Sequence, residues 1–274
     1  MKATDAVTGL IGASLLILSF MLINSLLNSP QFLRNQLFHP GSVGHEKEVP
    51  SAEKGLDFLT NTYQRLPQFV GAKINCTNCH LNGGKQPLAG PWVGVKFRFP
   101  QYRNRTGREV SLVDRINDCF ERSLNGKPLP KKHPAMLSML AYMESLSPDD
   151  KVKGRGIPKL KLSIAPDRDN GKKVYEVKCA YCHQKGGEGL FTPDGQVIYP
   201  PLWGEDSFNI AAGMARLHTA AGFVKQNMPL GQGGSLTDKE AWDVAAYFST
   251  QPRPDFAKKH LDWPKGKKPE DARY

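Results

Sequence analysis

Cys76-Thr77-Asn78-Cys79-His80 and, about a hundred residues further on, Cys179-Ala180-Tyr181-Cys182-His183 are the stretches that decide the fold of this 274-residue chain. Each reads as an attachment site for a c-type haem, with two cysteine sulfurs for thioether bonds and one histidine nitrogen for the iron. Repeated at this distance, they predict two haem domains in tandem, each of about 100 residues. The pentads consume four of the five cysteines. Cys119 is stranded between them. Haems of this kind are attached in an oxidising compartment, so a lone thiol there is an iron ligand, a reactive sulfur or a packed side chain.

Composition agrees with that organisation. With 26 glycines, 21 prolines and only 39% hydrophobic residues, the chain reads as loop-rich, as expected where a buried macrocycle fills part of the core. The net charge of +11 favours anionic substrates or acidic redox partners. No nucleic-acid-binding motif accompanies the charge, so no nucleic-acid partner is expected. Residues 6–27, AVTGLIGASLLILSFMLINSLL, carry no charge and are long enough to span a bilayer as a helix. Residues 1–30 therefore read as a signal anchor, or as a signal peptide if cleaved. The haem domains would then be tethered on the periplasmic side of the cytoplasmic membrane, or be soluble in the periplasm. The expected order continues with a spacer over 31–50, a first haem domain over 51–147, a linker over 148–166 and a second haem domain over 167–252. Residues 253–274 read as a basic tail, a surface strap with a solvated charge run.

Both domains repeat one plan: a helix, the pentad, a loop, and a closing helix. Ser51 caps a helix over Ala52 to Gln64 and Pro134 to Leu146 closes the first domain. Asn170 to Lys178 leads into Cys179, and a Thr237/Glu240 capping box opens a closing helix to about Phe248. This layout resembles class I cytochrome c and implies an all-α fold of two such domains in tandem behind the N-terminal helix. The axial histidines are His80 and His183. For the second haem, Met228 in the loop Asn227-Met228-Pro229-Leu230-Gly231 is the expected sixth ligand, and His/Met ligation raises the potential. Met214 and His218 compete with it, but they fall in the helical run Ile210 to Gln226, where packing or surface roles are expected. The first haem has no such loop. Its candidates are Cys119, His133, Met136, Met139 and Met143, of which the three methionines share a core-like helix face and His133 lies in a basic turn.

Ser111 with Asp114 predicts a helix over LVDRINDCFERSL, stopped by Gly126. Arg115, Cys119 and Ser123 then share one face, beside an apolar stripe of Leu112, Ile116, Phe120 and Leu124. Residues 73–132 hold twelve Lys/Arg against four Asp/Glu. Arg98, Arg103, Arg105 and Arg108 precede the helix, and taken singly Arg98, Arg103 and Arg108 also read as a solvated basic loop. Guanidinium groups lower a thiol's pKa and bind small dianions through paired hydrogen bonds, which fits a sulfur oxyanion as substrate.

The run Arg115 to Gly126, RINDCFERSLNG, together with Cys76 to His80 and the segment VKFRFPQYRNRTG, resembles the dihaem thiosulfate dehydrogenases, which couple two thiosulfates into tetrathionate. The resemblance spans roughly residues 51–250. It implies two covalent haem c groups, a His80/Cys119 active-site haem and a His183/Met228 exit haem, attached through Cys76, Cys79, Cys179 and Cys182. Arg105, Arg115 and Ser123 would surround the substrate. It further implies a transient adduct on Cys119, attack by a second thiosulfate, and electrons leaving through both haems to a cytochrome c or a membrane oxidase module. Some members carry a lysine before the methionine as a rival ligand; Asn227 stands there in this chain. Two other readings remain: a dihaem electron carrier with no chemistry of its own, and the haem subunit of a sulfur-carrier system.

Overall fold

The computed structural model describes residues 49–274; the expected anchor over 1–30 and almost all of the spacer lie outside the described residues. Among the described residues, no helix is long and apolar enough to cross a membrane. The fold is mostly helical. Six longer helices carry it: α1 (Ala52–Thr60), α2 (Leu112–Arg122), α3 (Pro134–Ser145), α4 (Arg168–Lys178), α5 (Leu217–Asn227) and α6 (Asp238–Thr250). Two small hairpins depart from an all-α fold: β1 (Gln101–Arg103) with β2 (Arg108–Val110), and β3 (Leu190–Phe191) with β4 (Val197–Tyr199), both antiparallel. Their turns hold Gly107 at φ 65° and Gly195 at φ 83°, values that only glycine adopts without strain.

Each haem domain is built on one helix pair. α1 packs on α3 in the first, and α4 packs on α6 in the second. A glycine sits at each crossing. A Cβ on Gly55 would lie 2.1 Å from Ser138 O, and one on Gly171 would lie 2.1 Å from Asp243 O. Both helix pairs therefore approach backbone to backbone. Local signals set the ends: Ser111 Oγ accepts from Asp114 N–H at 3.1 Å while Asp114 Oδ2 accepts from Ser111 N–H at 3.1 Å, and Thr237 with Glu240 repeats that box on α6. The first helix stops at Thr60 rather than Gln64 because Asn61 leaves helical geometry, at ψ 34°; one further turn follows over Thr62–Arg65.

The first core gathers Leu59, Leu66, Phe120, Leu124, Met136 and Met139, and also Phe208, Ala212 and Ala215 from beyond the linker. The second gathers Val174, Tyr175, Val224, Trp242, Val244 and Phe248. Residues 148–166 hold no helix or strand, but their backbone is tied on both sides. Leu88 N–H donates to Arg155 O at 2.8 Å and Leu160 N–H to His218 O at 3.0 Å, while α5 comes so close that a Cβ on Gly222 would lie 1.7 Å from Pro158 O. The tail is also tied down: Arg253, Phe256 and Trp263 are buried, and Asp271 pairs with Arg216 at 2.6 Å.

Candidate active site

His80 and His183 are oriented alike. His80 Nδ1 hydrogen-bonds Gly90 O at 2.5 Å, and His183 Nδ1 hydrogen-bonds Pro200 O at 2.9 Å. A ring that donates from Nδ1 to a carbonyl keeps Nε2 as a lone-pair donor, the tautomer an iron ligand requires. Burial lowers both pKa values, that of His80 to about 4, so the rings stay neutral. Trp92 lies against the His80 ring, with centroids 4.8 Å apart. A Cβ on Gly90 would touch the imidazole at 3.3 Å, so a larger residue there would crowd it.

A cavity of about 310 Å³ opens beside His80. Cys76, Cys79 and His80 line it, and α2 contributes Arg115, Ile116, Cys119, Phe120 and Ser123. Apolar walls, two cysteines and a histidine with a free nitrogen are a donor set and a surface that fit a haem c. Arg115 Nη1 donates to Cys119 Sγ at 2.9 Å, and the charge of a thiolate there holds the Arg115 guanidinium above its usual pKa. In the second domain Met228 caps α5, and Met228, Cys179, Leu202 and Trp203 each pack against the second core. Asn227 faces the other way: its Nδ2 donates to Phe223 O at 3.0 Å and to Leu88 O of the first domain at 3.1 Å.

The structure thus brings Cys76, Cys79, His80, Arg115, Cys119 and Ser123 together. It does not bring Arg105 to the cavity wall, because that guanidinium is taken up elsewhere: Nη1 donates to Ala211 O at 2.6 Å, and the group lies 5.0 Å from the Trp263 ring. Arg98 and Arg103 do line the cavity, together with Gln101. Both arginines are drained of some proton affinity by burial, and Arg103 Nε is buried without a hydrogen-bond partner. Strand periodicity could have found this, since Gln101 and Arg103 lie at i and i+2 on β1 with Tyr102 turned out between them. Arg108 is exposed and pairs with Asp114 at 3.5 Å. Among the other ligand candidates, His133 is spent on capping α3, its Nδ1 accepting from Ala135 N–H at 3.1 Å. Met136 and Met139 are core, and His218 sits between Asp271 and Trp242. Met143 and Met214 reach the cavity. Met214 gets there because α5 starts only at Leu217, so that a single 3-10 turn over Gly213–Ala215 carries it to the first domain along with Phe208 and Ala212.

Fold and site define a cytochrome c with two haem-binding domains. Residues 64–152 match the "SoxA/TsdA, cytochrome c domain" model, and residues 166–248 match "Cytochrome C oxidase, cbb3-type, subunit III". The thiosulfate dehydrogenase of Psychrobacter arcticus is 46% identical over 238 residues, covering 83% of this chain and 73% of its own. That of Allochromatium vinosum is 48% identical over 214 residues, covering 75% and 79%. Among solved structures, the thiosulfate dehydrogenase TsdBA from Marichromatium purpuratum in its as-isolated form superposes with a TM-score of 0.72 at 33% identity, over 80% of this chain and 50% of that one. This chain belongs to the thiosulfate dehydrogenase family and is an oxidoreductase acting on thiosulfate.

Proposed function

We propose that the chain joins two thiosulfates into tetrathionate at the first domain, where His80 and Cys119 would hold the haem iron, as His183 and Met228 would in the second. The observation that carries this reading is the 2.9 Å hydrogen bond from Arg115 to Cys119 Sγ, inside a cavity that Cys76, Cys79 and His80 also line. When bound, the two haems supply one-electron acceptors in series, which suits a reaction that releases two electrons in all.

The side chains do the rest. Arg115 faces the Cys119 sulfur with its charge and a hydrogen bond, which favours the thiolate as the nucleophile. Arg98 and Arg103 raise the local concentration of a dianion, and Ser123 offers a hydroxyl one helical turn from the sulfur. Bonding of the sulfane sulfur of thiosulfate to Cys119 Sγ gives a cysteine–S–S–sulfonate adduct and releases two electrons. A second thiosulfate then attacks that sulfane sulfur, tetrathionate departs, and the Cys119 thiolate is restored. The sum is two thiosulfates to one tetrathionate and two electrons. Asn227 contributes an amide, which offers no strong iron donor to rival Met228.

Around this site, residues 1–30 act as a signal anchor or signal peptide, and the protein works on the periplasmic side of the cytoplasmic membrane. A net charge of +11 suits an acidic cytochrome c or a membrane oxidase module as electron acceptor. The test is Cys119→Gly in the haem-loaded protein. Thiosulfate-dependent ferricyanide reduction should fall by about a thousandfold or more, while both haems remain bound and reducible by dithionite. Retained turnover would leave the chain an electron carrier.

A further inference from the structure

The tail reaches back to the active-site domain through one buried carboxylate. The Asp262 side chain is 3% exposed and accepts from Arg122 Nη2 at 2.8 Å and from Tyr274 Oη at 2.5 Å, with Arg105 Nε 3.6 Å away. Tail aromatics cover both arginines: Phe256 lies 4.6 Å from the Arg122 guanidinium and Trp263 lies 5.0 Å from that of Arg105. The backbone doubles the link, with Trp263 N–H donating to Arg105 O at 2.7 Å.

The two arginines belong to the two elements that build the cavity's cationic wall. Arg105 sits in the turn of the β1–β2 hairpin, whose first strand carries Gln101 and Arg103 to the cavity. Arg122 ends α2, and its Nη1 donates to Asp118 at 2.8 Å, one residue before Cys119. The Asp118 charge is felt at both Arg115 and Arg103. Arg122 is therefore shared between a carboxylate beside the sulfur and a carboxylate on the tail. Burying so many charges costs desolvation that surface attachment of a tail would not need, and fixing register is the best attested use of such a buried network.

We infer that Asp262 is a positioning residue for the thiosulfate reaction: through Arg122 and Arg105 it fixes the helix bearing Arg115 and Cys119 against the strand bearing Arg103. This rests on the proposed placement of Cys119 at the first haem. Asp262→Asn in the haem-loaded full chain keeps the shape and removes the charge. The KM for thiosulfate should rise about tenfold while kcat falls less than about threefold, because the anion cradle loosens before the chemistry does. The low-spin EPR signal of the first haem should spread into more than one species, that of the second should stay as it is, and Asp262→Glu should recover part of the KM. An unchanged KM with a single wild-type first-haem signal overturns the inference. So does a uniform loss in which both haem signals and the melting temperature move together with no KM–kcat split. If Asp262→Asn does not accumulate, Tyr274→Phe removes one donor and spares both ion pairs; a KM raised about twofold supports the role, and no change overturns it. Absence of a thiolate signature from the wild-type first haem would refute the ligation reading instead, whatever the variants do.

Discussion

Asp243 is fully buried where α4 meets α6, and three donors surround it. Lys239 Nζ lies 2.5 Å away, Asn170 Nδ2 2.8 Å and the Asp167 N–H 2.9 Å. Burial pushes the carboxyl pKa up, but the hydrogen bonds from Lys239, Asn170 and Asp167 outweigh it, and the net position is below the ordinary value. A carboxyl whose pKa is depressed in the folded state gives its full stabilisation above the unfolded value of about 3.9, and loses it as pH falls through the folded value. Stability of the second domain should thus be insensitive to this group near neutrality and decline below about pH 4. Asp243→Asn should cost about 2–3 kcal/mol at pH 7, since Lys239 loses its counter-charge and the new amide turns a donor toward donors. Thermal melts followed at the second haem across pH 3–7 check both statements. A variant with the wild-type melting temperature at pH 7 and the same acid slope would remove Asp243 from the account.

The helix pairs make the corresponding case one scale up. Gly55 and Gly171 let α1 meet α3, and α4 meet α6, closely enough that a methyl group would collide with a carbonyl at 2.1 Å. Gly55→Ala and Gly171→Ala should each destabilise by about 1–3 kcal/mol through forced separation of the pair, despite alanine's better helix propensity. Gly156→Ala, with nothing within 4 Å of the added carbon, should stay within about 0.5 kcal/mol. Equal melting temperatures for all three would mean the crossings tolerate a methyl group. These elements also show what could be read from the sequence. The Ser111/Asp114 and Thr237/Glu240 boxes and the face shared by Arg115, Cys119 and Ser123 are local, fixed by spacing and capping. The structure forms both boxes and brings the three side chains to one cavity, whose wall also holds Cys76, Cys79 and His80 of the first pentad. Arg105 and the tail are not local. Arg105 and Arg103 stand two apart on one basic hairpin, and only Asp262, about 160 residues away, shows that one is tied down and the other reaches the cavity. Met214 likewise read as part of a longer helix, because nothing nearby in sequence marks Leu217 as its start.

At the scale of the molecule, the two domains share walls. Phe208 and Ala212 come from the second half of the chain yet belong to the first core, and together with Ile157 of the linker they line the cavity beside Cys119. Arg253 lies 4.3 Å from the Phe208 ring and donates to Phe248 O at the end of α6, so it links that aromatic to the closing helix of the second domain. Each half then stabilises the other, and the described residues should unfold in a single cooperative transition, seen at the same temperature at both haems. Truncating Phe208 to alanine should cost about 3–5 kcal/mol, and it should do so unevenly. The first domain loses a cavity wall and part of its core, while the second keeps Trp242, Val244 and Phe248 intact. The melt of Phe208→Ala should therefore split, with the first-haem signal lost at lower temperature than the second. A single transition merely displaced downward would mean that the tail and linker hold the halves together without this contact, and two transitions already present in the wild type would mean the halves never were one folding unit.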